Sequence, residues 1–206
     1  MAENTRHPER ILGLHYFFPA AKNRLVEVIK GQKTSQKAFD TAFKLQEQIG
    51  KVPVESKDSP GFIVNRFFVP WLNEAMRILN DGVADIATIE AAAKETFLIG
   101  MGPFELMNVT GAPITFHAAN TLANELGEFY RPCPLIKNLI EHGQTWDLTG
   151  NPDRTRFEAV SKRLLQVVFD ITSQMVHKEN VCTAEACDLA AKTGLRWKKG
   201  PFELSL

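Results

Sequence analysis

A near-repeat constrains this chain more than any other feature. Glu90-Ala91-Ala92-Ala93-Lys94 is followed by Gly102-Pro103-Phe104-Glu105-Leu106, and Asp188-Leu189-Ala190-Ala191-Lys192 by Gly200-Pro201-Phe202-Glu203-Leu204, both pairs 98 residues apart. Asn65-Arg66-Phe67-Phe68 has a weaker echo in Lys162-Arg163-Leu164-Leu165. A period of this kind predicts one complete helical unit and a second that stops soon after its Gly-Pro-Phe-Glu-Leu. So abrupt an end reads as an engineered or cropped boundary.

The residues ahead of the repeat follow a different pattern. Ile11 to Phe18 is a short apolar and aromatic run closed by Pro19, and Leu25-Val26-Glu27-Val28-Ile29 is a second run closed by Gly31; both predict strands. Thr34-Ser35 offers an N-cap to a helix carrying Phe39, Phe43 and Ile49, with Gly50 placed to stop it. Val52 to Glu55 predicts a further strand, at an edge because of Pro53. A sheet this small with one helix could not bury both faces alone, so it is a fragment of a larger layer. Ser59-Pro60 then predicts a helix start. Phe68, Leu72, Ala75, Met76 and Leu79 recur at helical spacing up to Asp81-Gly82, and Pro70 inside that run predicts a kink or a late start. Ile86–Phe97, Phe104–Val109 and Ile114–Leu126 are expected helices. The stretch from Tyr130 to Pro152 is expected to be mostly loop, with helices again from Arg156 to about His177 and from Ala184 to Lys192.

Composition limits the function classes. The 206 residues hold 24 Lys+Arg against 24 Asp+Glu, so no global field draws a nucleic acid. No apolar run approaches the ~18 residues of a membrane span, and the polar start lacks a signal-peptide core. Cys133, Cys182 and Cys187 are an odd number without metal-ligand spacing, and read as small packed hydrophobes rather than metal ligands. A bacterial cytoplasm or an organelle matrix fits such thiols.

His15 and Glu27 are the first chemical candidates. Glu27 interrupts an apolar strand and shares a side with Leu25 and Ile29, where a carboxylate needs a partner. If the two strands pair, His15 and Glu27 meet, and a His–Glu pair fixes the imidazole tautomer and suits a general base. A structural salt bridge remains equally open. Asn65, early in the predicted helix, is a candidate donor to a substrate oxygen or a solvent-facing amide. His7, His117, His142 and His177 stand singly. Lys22, Arg24, Lys30 and Lys33 read as solvated surface rather than phosphate ligands, and the Gly102-Pro103 turns as helix-positioning devices.

Taken in order, His15-Tyr16-Phe17-Phe18-Pro19, Leu25 to Ile29, Pro60-Gly61-Phe62-Ile63-Val64-Asn65-Arg66 and Met101-Gly102-Pro103-Phe104-Glu105-Leu106 resemble the 3-hydroxyacyl-CoA dehydrogenases of β-oxidation. The resemblance covers roughly Arg6 to Leu126, and the second unit more loosely. It implies a mainly α chain with an N-terminal α/β remnant: residues 1–57 as the end of a Rossmann-type NAD-binding domain, 58–150 as a helical substrate and dimerisation unit, and 151–206 as a second, partial copy. It implies an acyl-CoA thioester as substrate and NAD as cofactor of the full-length protein. It further implies His15 as the catalytic histidine, Glu27 as its partner and Asn65 as the asparagine near the substrate oxygen. A homodimer through the helical unit and a monomer, its second unit covering that surface, are equally open.

Two departures stand out. The family's asparagine beside the nicotinamide is Phe18 here, which cannot make the amide's hydrogen bonds. No Gly-x-Gly-x-x-Gly occurs, so no phosphate-cradling turn is present. Ala2-Glu3-Asn4-Thr5 resembles the family just upstream of its histidine strand, so the Met start implies truncation, with weak or no NAD binding and little turnover by this polypeptide alone. The second unit, with Lys162 in the place of Asn65, reads as scaffold. The rival readings are a dehydrogenase of another hydroxy acid and a non-catalytic acyl-CoA-binding or assembly module.

Overall fold

The computed structural model describes residues 4–204; Ala2 and Glu3 of the Ala2–Thr5 stretch lie outside them. A 3-10 turn (Pro8–Arg10) leads into β1 (Gly13–Tyr16), then β2 (Leu25–Lys30), α1 (Gln36–Gln48) and β3 (Val52–Lys57). The sheet runs in the order β1-β2-β3, with β1 antiparallel and β3 parallel to β2. β1 is shorter than the apolar run around it, because pairing with β2 ends at Tyr16 opposite Val26. β2 is the middle strand and is buried along both faces. Pro53 lies on β3, an edge of the sheet, as its missing N–H requires. α1 begins as expected, the Ser35 side chain accepting from Ala38 N.

The first helical group comprises α2 (Val64–Asn80), α3 (Ile86–Phe97), α4 (Pro103–Thr110), α5 (Ala112–Leu126) and α6 (Pro134–Glu141). The second comprises α7 (Phe157–Ser173), a π-helical turn (Gln174–Lys178), α8 (Ala184–Gly194) and α9 (Pro201–Leu204). Two sequence expectations need correction. α2 starts at Val64, not at Pro60, because Gly61 (φ 76°) and Phe62 (φ 46°) take left-handed conformations that no helix continues. Pro70 therefore lies in the helix interior. The Tyr130–Pro152 stretch contains α6, whose Pro134 sits at the first helical turn and whose Ile136 and Leu139 are buried. As expected, the helical stretch that starts at Phe157 runs past His177, α7 passing into the π turn at Gln174.

The two groups share local geometry at the 98-residue period. Glu90 Oε1 accepts from Phe104 N at 2.6 Å and Glu105 N at 3.1 Å, while Asp188 Oδ1 accepts from Phe202 N at 2.8 Å. Lys94 reaches Glu105 at 2.6 Å, and Lys192 reaches Glu203 at 2.5 Å. Asp85 caps α3 and Thr183 caps α8. Leu98 and Arg196 are both left-handed (φ 53° and 60°), as are Gly82 and Asn180 (φ 66° and 52°). Each of these pairs is separated by 98 residues. The Asn65/Lys162 echo is separated by 97, and a π turn, with its five-residue hydrogen-bond step, lies between that echo and the positions 98 apart.

α2 and α7 pack together at the centre. Trp197, after α8, makes ring contacts with Phe67 and Trp71 of α2 and Phe97 of α3 at 5.7, 5.8 and 4.6 Å. α1 and α8 both pack on β2 and β3. Leu25 belongs to the same core as α2 and α8, so by strand alternation Glu27 faces that core too. Cys187 is fully buried on α8. It stands at the fourth helical position and Cys182 just before the Thr183 cap, the two places of a hydrophobic staple.

Candidate active site

The site begins with strand register. Antiparallel pairing sets His15 directly opposite Glu27, and His15 Nδ1 lies 2.5 Å from Glu27 Oε2. The Glu27 side chain is wholly buried, and that of His15 is 29% exposed. The other carboxylate oxygen, Oε1, accepts from Ile63 N at 3.1 Å and Val64 N at 2.8 Å. Glu27 thus caps α2, which has no side-chain cap of its own. Helix N-termini carry free N–H groups and partial positive charge, so a carboxylate is well placed there. With a carboxylate at Nδ1, that nitrogen carries the proton and Nε2 is left as the acceptor. The rings of Phe17 and Phe62, at 4.6 and 5.5 Å, hold the imidazole.

Asn65 is the second residue of α2 and half-buried. Among the described residues no hydrogen bond holds its side chain. Phe18 is not drawn into this group; it is 90% exposed. Lys22, Arg24 and Lys33 are exposed, and Lys30 donates to Gln36. Cys187 and Cys133 are poor nucleophiles in this setting. The Cys182 side chain and burial hold Cys187 well above its ordinary value, and burial raises Cys133.

Sequence reasoning missed two parts of the arrangement. One is the capping of α2 by Glu27, which comes from 36 residues away. The other is Arg66, whose guanidinium is buried beneath the Ser59–Phe62 turn. The cap was foreshadowed only by the lack of Ser, Thr, Asp or Asn at Ile63.

The family model described as the 3-hydroxyacyl-CoA dehydrogenase NAD-binding domain matches residues 1–59, and that described as the C-terminal domain matches residues 61–152. The chain belongs to the 3-hydroxyacyl-CoA dehydrogenase family. It is 40% identical over 145 residues to 3-hydroxybutyryl-CoA dehydrogenase of Clostridioides difficile, covering 70% of this chain and 52% of that one. It is 38% identical over 152 residues to human mitochondrial hydroxyacyl-coenzyme A dehydrogenase, covering 73% and 48%. The chain therefore spans about half the length of these relatives. The crystal structure of Escherichia coli K12 3-hydroxybutyryl-CoA dehydrogenase matches with a TM-score of 0.86 at 20% identity, covering 97% of this chain and 64% of that one. At that identity the likeness concerns the fold, and it extends over the second helical group, which the family models do not reach. NAD is the cofactor of the full-length family.

Proposed function

We propose that this chain is the substrate-binding and proton-handling part of an NAD-dependent (S)-3-hydroxyacyl-CoA dehydrogenase of fatty acid β-oxidation, working in a bacterial cytoplasm or an organelle matrix. The observation that carries this reading is the line from the α2 N-terminus through Glu27 to His15 Nδ1. It leaves a partly exposed imidazole with Nε2 placed to accept a proton. His15 takes the proton of the substrate 3-hydroxyl, and buried Glu27 stabilises the imidazolium that results. Asn65, one residue beyond the capped N–H groups, donates its amide to the substrate oxygen.

NAD supplies the hydride acceptor in this family, but the residues present do not fit it. The chain has no Gly-x-Gly-x-x-Gly turn, and β1 pairs on one side only among the described residues, with Leu14, Tyr16 and Phe18 exposed beside it. On this reading a nucleotide-binding half docks along that edge, and the chain alone is inactive. The second helical group we read as a duplicate of the first, held across an approximate two-fold: Arg66 on α2 pairs with Glu179, and Arg163 on α7 pairs with Asp81. On this reading α7 takes the place against α2 that a second copy would otherwise occupy.

The test is a fusion carrying the nucleotide-binding half of the Clostridioides difficile relative. Acetoacetyl-CoA reduction should fall by about 10²–10⁴-fold when His15 is replaced by Gln. An unchanged rate would leave a non-catalytic acyl-CoA-binding module, and equal turnover of non-thioester substrates a different hydroxy-acid dehydrogenase.

A further inference from the structure

We propose that the second helical group supplies a positioning residue, Glu179, to the site of the first. This rests on the reading of His15, Glu27 and Asn65 given above. The argument starts at Arg66, whose side chain is 1% exposed. Its Nη1 donates to the Pro60 carbonyl at 3.2 Å and the Ser59 hydroxyl at 3.3 Å, and its Nε to the Tyr130 hydroxyl at 3.1 Å. Those bonds grip the turn that leads into α2. That turn presents Phe62 to the imidazole, the Ile63 and Val64 N–H groups to Glu27, and Asn65 just beyond. A buried guanidinium needs a compensating charge, and Glu179 provides it, accepting from Nη2 at 2.7 and 2.8 Å.

Glu179 is aimed by the π turn. Its backbone N–H bonds Gln174 O at 3.0 Å, the five-residue step of that turn, and its Oε1 accepts from Gln174 Nε2 at 2.7 Å. Without the extra residue, everything after α7 would be rotated by roughly 100° about the helix axis, and Glu179 would leave Arg66. The end of β3 is tied to the same segment, Lys57 N donating to Val181 O at 2.9 Å. The mirror pair, Arg163–Asp81 at 2.8 Å, lies 33% and 47% exposed, Arg163 also pairs with Glu74 at 2.6 Å, and among the described residues neither member hydrogen-bonds the turn before α2. The two pairs are thus related by the repeat but unequal in role.

The experiment compares Glu179→Gln with Asp81→Asn in the full chain by NMR. Two signals report the site without turnover: the far-downfield proton of the His15–Glu27 hydrogen bond, and hydrogen exchange at the Ile63 and Val64 amides. Glu179→Gln should broaden or move the first and speed the second by at least about tenfold through local opening. Asp81→Asn should leave both within about twofold of the parent. Glu179→Asp, which keeps the charge on a shorter arm, should fall between parent and Gln variant, and takes over the comparison if Glu179→Gln does not fold. Unmoved signals in the Glu179 variants, or equal changes in the Glu179 and Asp81 variants, overturn the proposal. Because neither signal depends on catalysis, this result is separable from the His15→Gln assay, which tests the functional reading itself.

Discussion

The two helical groups carry the same local motif in different settings. In the first, Glu90 caps α4 through two backbone N–H groups, and its group packs beside a strand pair that carries His15 and Glu27. In the second, Asp188 plays the cap with one methylene fewer, and Lys162 stands where the first has Asn65. What differs is not the motif but what lies against the N-terminus of the leading helix. α2 meets a buried carboxylate from the sheet. α7 follows a 3-10 turn (Arg154–Arg156) capped by its own neighbour Asp153. A motif that builds a helical scaffold becomes a site only where a sheet delivers a charged group to it.

The largest test of this comparison is Trp197→Ala. The indole joins the second group to Phe67, Trp71 and Phe97 of the first, and its loss should cost about 3–5 kcal/mol. Urea unfolding monitored by circular dichroism measures it. A cost of less than about 1 kcal/mol would mean that the groups are joined elsewhere.

A smaller contrast separates the two glycines of the repeat. A Cβ on Gly102 would strike only the carboxyl end of Glu90, whereas one on Gly200 would strike the Cβ and backbone Cα of Asp188. Gly200→Ala should therefore destabilise more, within the roughly 1–3 kcal/mol typical of overpacking, while Gly102→Ala displaces the end of a flexible side chain and costs at most the bonds of Glu90 to Phe104 N and Glu105 N. Equal melting temperatures for the two variants would remove the distinction.

The smallest effect concerns pH. Burial holds the Asp188 carboxyl above the usual carboxylate range. A carboxyl with a raised folded-state value binds its proton more tightly when folded. Its favourable contribution is therefore present in acid and is lost as pH rises from the unfolded value through the folded one. Asp188→Asn keeps an oxygen for Phe202 N but cannot titrate, so across that acidic window the melting temperature of the variant should gain on that of the parent as pH rises. Parallel curves for parent and variant would show that Asp188 does not titrate differently on folding.

Much of this was legible in sequence because its causes are local. The Ser35 cap, α3 and the start of α8 follow from side chains bonding amides three residues on. The His15–Glu27 meeting was legible too, because strands only 12 residues apart pair readily and a carboxylate inside an apolar strand calls for a partner. The start of α2 was misread for the opposite reason. Ser59-Pro60 has the chemistry of a helix start, but Ser59 Oγ accepts from Arg66, and the helix waits for the Glu27 carboxylate. The α6 helix was hidden by the prolines and glycines around it.

The periodic spacing of apolar residues, caps and glycines was enough to specify two helical units and a strand pair, since each of those choices is decided within a few residues of chain. Folding alone decided that Glu27 serves two masters, His15 and the α2 N-terminus, and that Arg66 finds its counter-charge 113 residues away in Glu179. Burial is the physical reason. A charge removed from water takes whatever partner the packed core brings to it, and no local pattern records which one that will be.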